Sequence, residues 1–290
     1  MNSDYYIPER FEKEVVLHAL RVLSPNISNV PIIFSIDGPT GEGKTYQCKT
    51  VLERAGCKIF SLSASQFESK NAGEPAQLIR GTYNSAVEYI RKSSENVAAV
   101  LIDDADVAFG NWGELVQYTV NTQCVIGELM SIADMSSNKN EIRVPIYLTG
   151  NDLKKIYAPL RRSGRMEFFY WEPNQDEKTI MLYYLFKNLT HKECSELILY
   201  VDNLCKKKEL ESASISFYSS MISHIYDDSL WDNYLQNKRN NFDINSLFIT
   251  NQPKESTIRL KDLKQLAEVM IEQIILSQND YTISKTKKGK

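Results

Sequence analysis

Eight consecutive residues, Gly38-Pro39-Thr40-Gly41-Glu42-Gly43-Lys44-Thr45, fit the spacing G-x-x-x-x-G-K-[ST]. Each residue type has a reason in phosphate chemistry. Glycines let the backbone turn its N–H groups inward around phosphate oxygens, and a helix starting near Lys44 would add the favourable field of its N-terminus. Lys44 carries the charge that would neutralise β- and γ-phosphates, and Thr45 offers a hydroxyl to magnesium. Gly38, Pro39, Thr40, Gly41, Glu42, Gly43, Lys44 and Thr45 are therefore the expected ligands of ATP bound with magnesium.

Three further groups complete such a site. The run Ala98-Ala99-Val100-Leu101-Ile102-Asp103-Asp104 reads as a strand ending in acid, and the carboxyl end of a parallel strand is where such sheets bind ligands. Asp103 is expected to hold magnesium with Thr45, mostly through water. Asp104 is expected to orient and polarise the attacking water. An aspartate there, where many ATPases carry glutamate, suggests slower or more tightly controlled hydrolysis. Asp106 reads either as part of the site or as a former of the following loop.

Leu148-Thr149-Gly150-Asn151-Asp152 ends another strand. The Asn151 amide could hydrogen-bond the attacking water, although Asn–Asp is also an ordinary turn. Last comes Arg161-Arg162-Ser163-Gly164-Arg165. Clustered arginines are by default solvated surface, but beside a phosphate-binding loop they can reach the γ-phosphate of a neighbouring subunit. That contact is worth about 10³–10⁵ in rate.

The elements that must position these residues follow from hydrophobic pattern. Short, nearly continuous apolar runs at 31–36, 58–63, 98–102, 144–149 and 167–171 read as strands buried on both faces of a parallel sheet. Helical spacing at 44–55, 75–94 and 115–134 lies between them, which argues for right-handed βαβ units and a three-layer α/β sandwich. A helix at 8–23 precedes the sheet. After Pro173 only helical patterns remain, at 176–188, 193–206, 213–235 and 258–277, with a polar stretch from Asn237 to Thr257 expected as loop. The expected division is residues 1–172, a helix plus an α/β nucleotide-binding domain; 173–280, a small all-α domain; and 281–290, a disordered basic tail.

Composition narrows the class. The chain has 290 residues, about two domains' worth, and 42% apolar content, enough for a sizeable core. Its formal net charge of −3 argues against a nucleic-acid motor, which would show a basic face. No run approaches the ~18 apolar residues that span a bilayer, and the first residues lack the order of a secretion signal, so a cytoplasmic protein without membrane attachment is expected. The cysteines are Cys48, Cys57, Cys124, Cys194 and Cys205. Their odd number and spacing suit buried thiols rather than disulfides or zinc.

Phosphate loop, acidic strand, asparagine strand, arginines and helical domain, in this order, resemble the plan of an AAA+ module. That plan is a parallel five-stranded P-loop sheet sandwiched by helices, followed by a small all-α lid. Several stretches also resemble Rubisco activase: Glu68 to Arg80 with its NAGEPA-x-LIR, Gln117-Tyr118-Thr119-Val120-Asn121, Arg143-Val144-Pro145 through Asp152, and Tyr157 through Trp171. Weaker similarity runs through Ile225–Asp228 to the final helix, so the resemblance covers roughly residues 8–280.

The resemblance implies a homo-oligomeric ring, a hexamer, that hydrolyses ATP to pull on a peptide of its partner and release inhibitory sugar phosphates from Rubisco. It makes Asn71-Ala72-Gly73 the first pore loop, places Phe109–Leu115 near the second, and matches Arg162 and Arg165 to arginine fingers and Asn151 to the first sensor. It also implies a stromal location for a plastid source. Two departures stand out: Ile222 and His224 replace an Arg-x-Arg pair, and 106–112 carries bulky apolar residues where the family has glycines. These departures suggest an alternative, an activase-like ATPase with a non-Rubisco target, acting as a nucleotide-gated scaffold or signalling assembly.

Overall fold

A computed structural model describes residues 6–110, 120–135, 141–237 and 259–286. The strands are β1 (Ile33–Asp37), β2 (Lys58–Ser63), β3 (Ala98–Asp103), β4 (Ile146–Thr149) and β5 (Met166–Tyr170). They form one sheet in the order β2-β3-β4-β1-β5. Every pairing is parallel, with Ile33 opposite both Ile146 and Met166, and Ile102 opposite both Leu62 and Leu148.

The apolar runs are continuous because alternate side chains serve two separate cores. On one face Ile33, Val100, Ile102 and Leu148 pack with Ile79, Val125 and Leu129. These come from helices α3 (Glu74–Arg91) and α5 (Val120–Met135). On the other, Phe34, Ile36, Leu101 and Tyr147 pack with Phe11, Val15, Val51 and Leu52, from α1 (Glu9–Leu23) and α2 (Lys44–Arg54). A short α4 (Ala105–Phe109) follows β3 directly. The outer strands β2 and β5 have only one neighbour each and are correspondingly more exposed.

Chain contacts divide the molecule after Glu172: Ile7–Glu172 forms one compact unit, and the residues from Pro173 onward belong to the other. The second unit is helical. Its described helices are α6 (Gln175–Leu185), α7 (His191–Lys207), α8 (Ile215–Ile225), α9 (Asp227–Asn237) and α10 (Leu260–Thr286). Capping boxes start two of them: Asn174 with Glu177, and Thr190 with Glu193, each pair bonding reciprocally. Leu182, Phe186, Leu197, Val201, Tyr218, Leu263 and Ala267 fill its core.

Two expectations change here. The helix expected over 213–235 is two helices, broken where the Tyr226 N–H tightens onto the Ser223 carbonyl. No glycine or proline marks that break, so periodicity passes through it. The final helix runs to Thr286 rather than giving way to a tail at 281, since residues 260–286 contain no helix breaker. The loop expected at 237–257 and the last four residues lie outside the described residues, all but Asn237. Among the described residues no helix is long and apolar enough to cross a membrane.

Candidate functional site

The carboxyl ends of β1, β3 and β4 converge on the turn between β1 and α2. Gly38, Gly41 and Gly43 there have φ of 148°, 80° and 72°, conformations that side-chain-bearing residues rarely adopt. At Gly38 close approach matters as well: a Cβ would lie 1.9 Å from the Trp171 carbonyl oxygen. α2 then begins at Lys44 with no side-chain cap and no acid in its first turn. Its positive end therefore faces the loop with neither a capping side chain nor an acid in its own first turn, which suits a phosphate.

Lys44 is buried, and each proton of its ammonium has an acceptor. They are the carbonyls of Gly38 at 2.8 Å and Pro39 at 2.7 Å, and Asn151 Oδ1 at 2.9 Å. Burial lowers its pKa, against the pull of Asp37, Asp106, Glu42 and Asp104. Thr45 Oγ1 donates to Asp103 Oδ1 at 2.6 Å and Thr149 Oγ1 donates to the same oxygen at 2.7 Å. The two hydroxyls are 3.0 Å apart. This compact set of hydroxyl and carboxylate oxygens suits a hard, largely hydrated cation such as magnesium. Among the described residues no three His, Cys, Asp or Glu side chains group to hold a metal, so phosphate and water oxygens would complete such a shell.

Asp104 caps α4 in a left-handed conformation, φ 51°, and its N–H bonds Asp103 Oδ1 at 3.0 Å. Its carboxyl is exposed at the site. Partial desolvation raises its pKa, with the charges of Asp103 and Asp106 adding and Lys44 opposing. A carboxylate so tuned is a better proton acceptor.

The site holds residues that pattern reading missed or left open. Asp106 is fully buried and its Oδ2 accepts the N–H of both Asn151 and Asp152 at 3.0 Å. It therefore fixes the loop that presents Asn151. Gly150 makes this possible, because a Cβ there would meet Asp106 Oδ1 at 2.7 Å. Asp37 Oδ1 takes the next amide, Leu153 N–H, at 3.1 Å. Trp171 Nε1 and Gln47 Nε2 both donate to the Glu42 carbonyl, at 3.0 and 2.9 Å, and brace the phosphate loop from behind. Thr149 stood inside the recognised motif, where a hydroxyl at a strand end was the available signal. Trp171 gave none.

The arginines stand differently. Arg165 is tied within its own chain: Nε and Nη2 each reach Asp134 at 2.7 Å and Nη1 reaches the Pro159 carbonyl at 2.9 Å. Arg162 has an exposed side chain. Asn71 and Ala72 are exposed before α3. Phe109, expected near a second pore loop, is instead buried, edge-on to Phe67 with ring centroids 6.0 Å apart. The rest of that loop, 111–115, lies outside the described residues. In the helical unit His224 is exposed and bonds Asp227 Oδ2 at 2.8 Å.

The sequence has known relatives. The family model "ATPase family associated with various cellular activities (AAA)" matches residues 35–174. Ribulose bisphosphate carboxylase/oxygenase activase of a Nostoc strain is 40% identical over 244 residues, covering 79% of this chain and 56% of that protein. Activase 1, chloroplastic, of Nicotiana tabacum is 38% identical over 237 residues, 78% of this chain and 51% of that protein. The chloroplastic activase of Arabidopsis thaliana is 36% identical over 241 residues, 79% and 49%. The chain spans about half the length of the curated relatives it matches. With a five-stranded parallel sheet, a phosphate loop between β1 and α2 and this likeness, the chain is a Rubisco activase-like protein of the AAA+ class.

Proposed function

We propose that this chain binds ATP with magnesium at the carboxyl ends of β1, β3 and β4, hydrolyses it, and works as a ring oligomer that remodels a protein partner. The observation that carries this reading is the convergence of Thr45, Asp103 and Thr149 beside a buried lysine at an uncapped helix end. Rubisco, for which the relatives are named, is the partner proposed, and inhibitory sugar phosphates are what its remodelling would release. The ring is proposed as a hexamer, in cytoplasm or, for a plastid source, in stroma.

The residues divide the work. Lys44 would exchange its two carbonyl acceptors and Asn151 for phosphate oxygens, which relieves a charge now held at the expense of desolvation. Residues 38–45 would surround the phosphates with N–H groups. Thr45 and Asp103 would hold magnesium, which supplies charge neutralisation to the phosphates. Asp104 would accept the proton of the attacking water, and Asn151, once released by Lys44, would orient it. Arg162 and Arg165 would act on the γ-phosphate of the adjoining subunit.

Two variants and one partner assay test this. Lys44→Ala should lose ATP binding, and Asp104→Asn should bind ATP while hydrolysing it about 100-fold more slowly. Equal phosphate release from Lys44→Ala and the parent protein would overturn the site. Incubation with ATP and inhibitor-blocked Rubisco should restore carboxylation. A protein that hydrolyses ATP yet rescues no Rubisco form would transfer the proposal to another partner, served as a nucleotide-gated scaffold.

A further inference from the structure

Two sequence motifs 48 residues apart meet at one side chain. Asn121, in the first turn of α5, accepts the Gly73 N–H on Oδ1 at 3.0 Å and donates from Nδ2 to the Ser69 carbonyl at 2.9 Å. Only one orientation of the amide satisfies both bonds, since Gly73 offers a donor and Ser69 an acceptor. We infer that Asn121 is a positioning residue that clamps the exposed Ser69–Gly73 turn to α5, so that the two move as one body.

The turn is braced from inside as well. Ser69 Oγ accepts the Asn71 N–H at 3.0 Å, the Glu74 carboxylate accepts Asn71 Nδ2 at 3.3 Å, and Ser69 Oγ also donates to Glu74. Gly73 adopts φ 83°, the left-handed conformation that favours glycine. A second tie lies further along the same pair of helices. Arg80 on α3 forms an ion pair with Glu128 of α5 and donates to Ser131 Oγ at 3.0 Å. With α3 and α5 joined there, the clamp fixes what stands in front of them. What projects is Lys70, Asn71 and Ala72, all exposed. They form a stiff knob rather than a mobile loop.

The consequence for work on a partner rests on the proposed function; the clamp itself does not. A knob whose two ends are held by α5 transmits displacement of that helix to whatever it touches. A loosened knob would let α5 move without pulling.

The test uses the full chain with Asn121→Ala, Asn121→Asp and the parent protein, each shown to unfold within a few degrees of the others. Hydrogen exchange is followed on peptides that contain Gly73. Loss of the clamp in Asn121→Ala should speed exchange of the Gly73 amide at least 10-fold. Asn121→Asp, which keeps the acceptor and loses the donor, should lie between. Exchange within twofold of the parent in Asn121→Ala would overturn the clamp. In the same preparations ATP hydrolysis should stay within about twofold while partner release per ATP falls at least 10-fold. Faster exchange with undiminished release would overturn the transmission role. If the parent protein itself releases nothing from Rubisco, the partner assignment fails, and the exchange result still decides the clamp.

Discussion

Two cationic regions of this chain, the lysine of the phosphate loop and the arginines before β5, are built in opposite ways. Lys44 is buried and meets three acceptors from its own chain, two of them carbonyls of the loop it closes. Arg162 is exposed, and its neighbour Arg165 is held by Asp134. The lysine end can be assembled by folding alone. On the proposed function, the arginine end would acquire a phosphate to act on only from a neighbouring chain. The contrast gives a physical reason for a ring: each chain would supply one finished half-site and one unfinished one.

The largest expected effect tests that division directly. Arg162→Ala should keep ATP binding and lose about 10³ in turnover, the lower end of what an arginine contact supplies. Mixed with the equally inactive Lys44→Ala, it should regain part of the activity, because some interfaces then pair an intact arginine with an intact lysine. Normal assembly with no turnover at any mixing ratio would remove the trans role.

Next in size is the buried carboxylate of Asp106, which holds the loop that presents Asn151 to the lysine. Asp106→Ala deprives the Asn151 and Asp152 amides of their acceptor. Two charge-assisted bonds at roughly 1.5–3 kcal/mol each, partly recovered by water, suggest a loss of about 3 kcal/mol in denaturant unfolding. Asp106→Asn, which retains one acceptor oxygen, should lose less. Equal stability of all three proteins would show that the loop holds itself.

These residues also show where reading a sequence stops. Lys44, Thr45 and Asp103 are legible because the phosphate turn forces residue types at fixed spacing within a few positions. The strands are legible because burial on both faces leaves unbroken apolar runs. Asp106 and Trp171 act through bonds to segments 45 and 129 residues away, and no local pattern encodes such pairs. Phe109 shows a different limit: the resemblance put it near a second pore loop, and only packing shows that its ring sits in the core against Phe67. The break at Tyr226 is one tightened hydrogen bond, below what helical periodicity can resolve.

A third test probes the rigid side of the comparison, the helix packed behind the β1 strand that leads to Lys44. His18 on α1 is fully buried between Phe34 and Tyr147, and its Nε2 bonds the Pro31 carbonyl at 2.9 Å. Burial pushes its pKa from 6.5 down to about 4. Between those values the unfolded chain takes up a proton that the folded chain refuses, so stability is fully present above pH 6.5 and lost as pH falls towards 4. At 1.36 kcal/mol per unit this is about 3 kcal/mol. His18→Gln, which keeps a donor for Pro31, should unfold with a shallower dependence on pH across that window. Parallel curves would mean that the imidazole is not held neutral.

The smallest expected effect decides which arginine belongs to the open end. Arg165 and Asp134 form a two-bonded pair near the surface, and hydrogen bonding to Arg165 lowers the Asp134 pKa. Solvent screens such pairs, so breaking this one should cost no more than about 1 kcal/mol of stability. Its functional sign is more telling. If Arg165 only staples α5 to the turn before β5, then Arg165→Ala, Asp134→Ala and the double variant should show the same small stability loss and nearly equal turnover. If Arg165 must leave Asp134 to reach a neighbouring phosphate, the pair competes with catalysis. Asp134→Ala should then raise turnover a few-fold, while Arg165→Ala lowers it in either background. A double-mutant cycle in turnover and unfolding separates the two. A rate increase in Asp134→Ala alone would move Arg165 from the closed half of the comparison to the open one, beside Arg162.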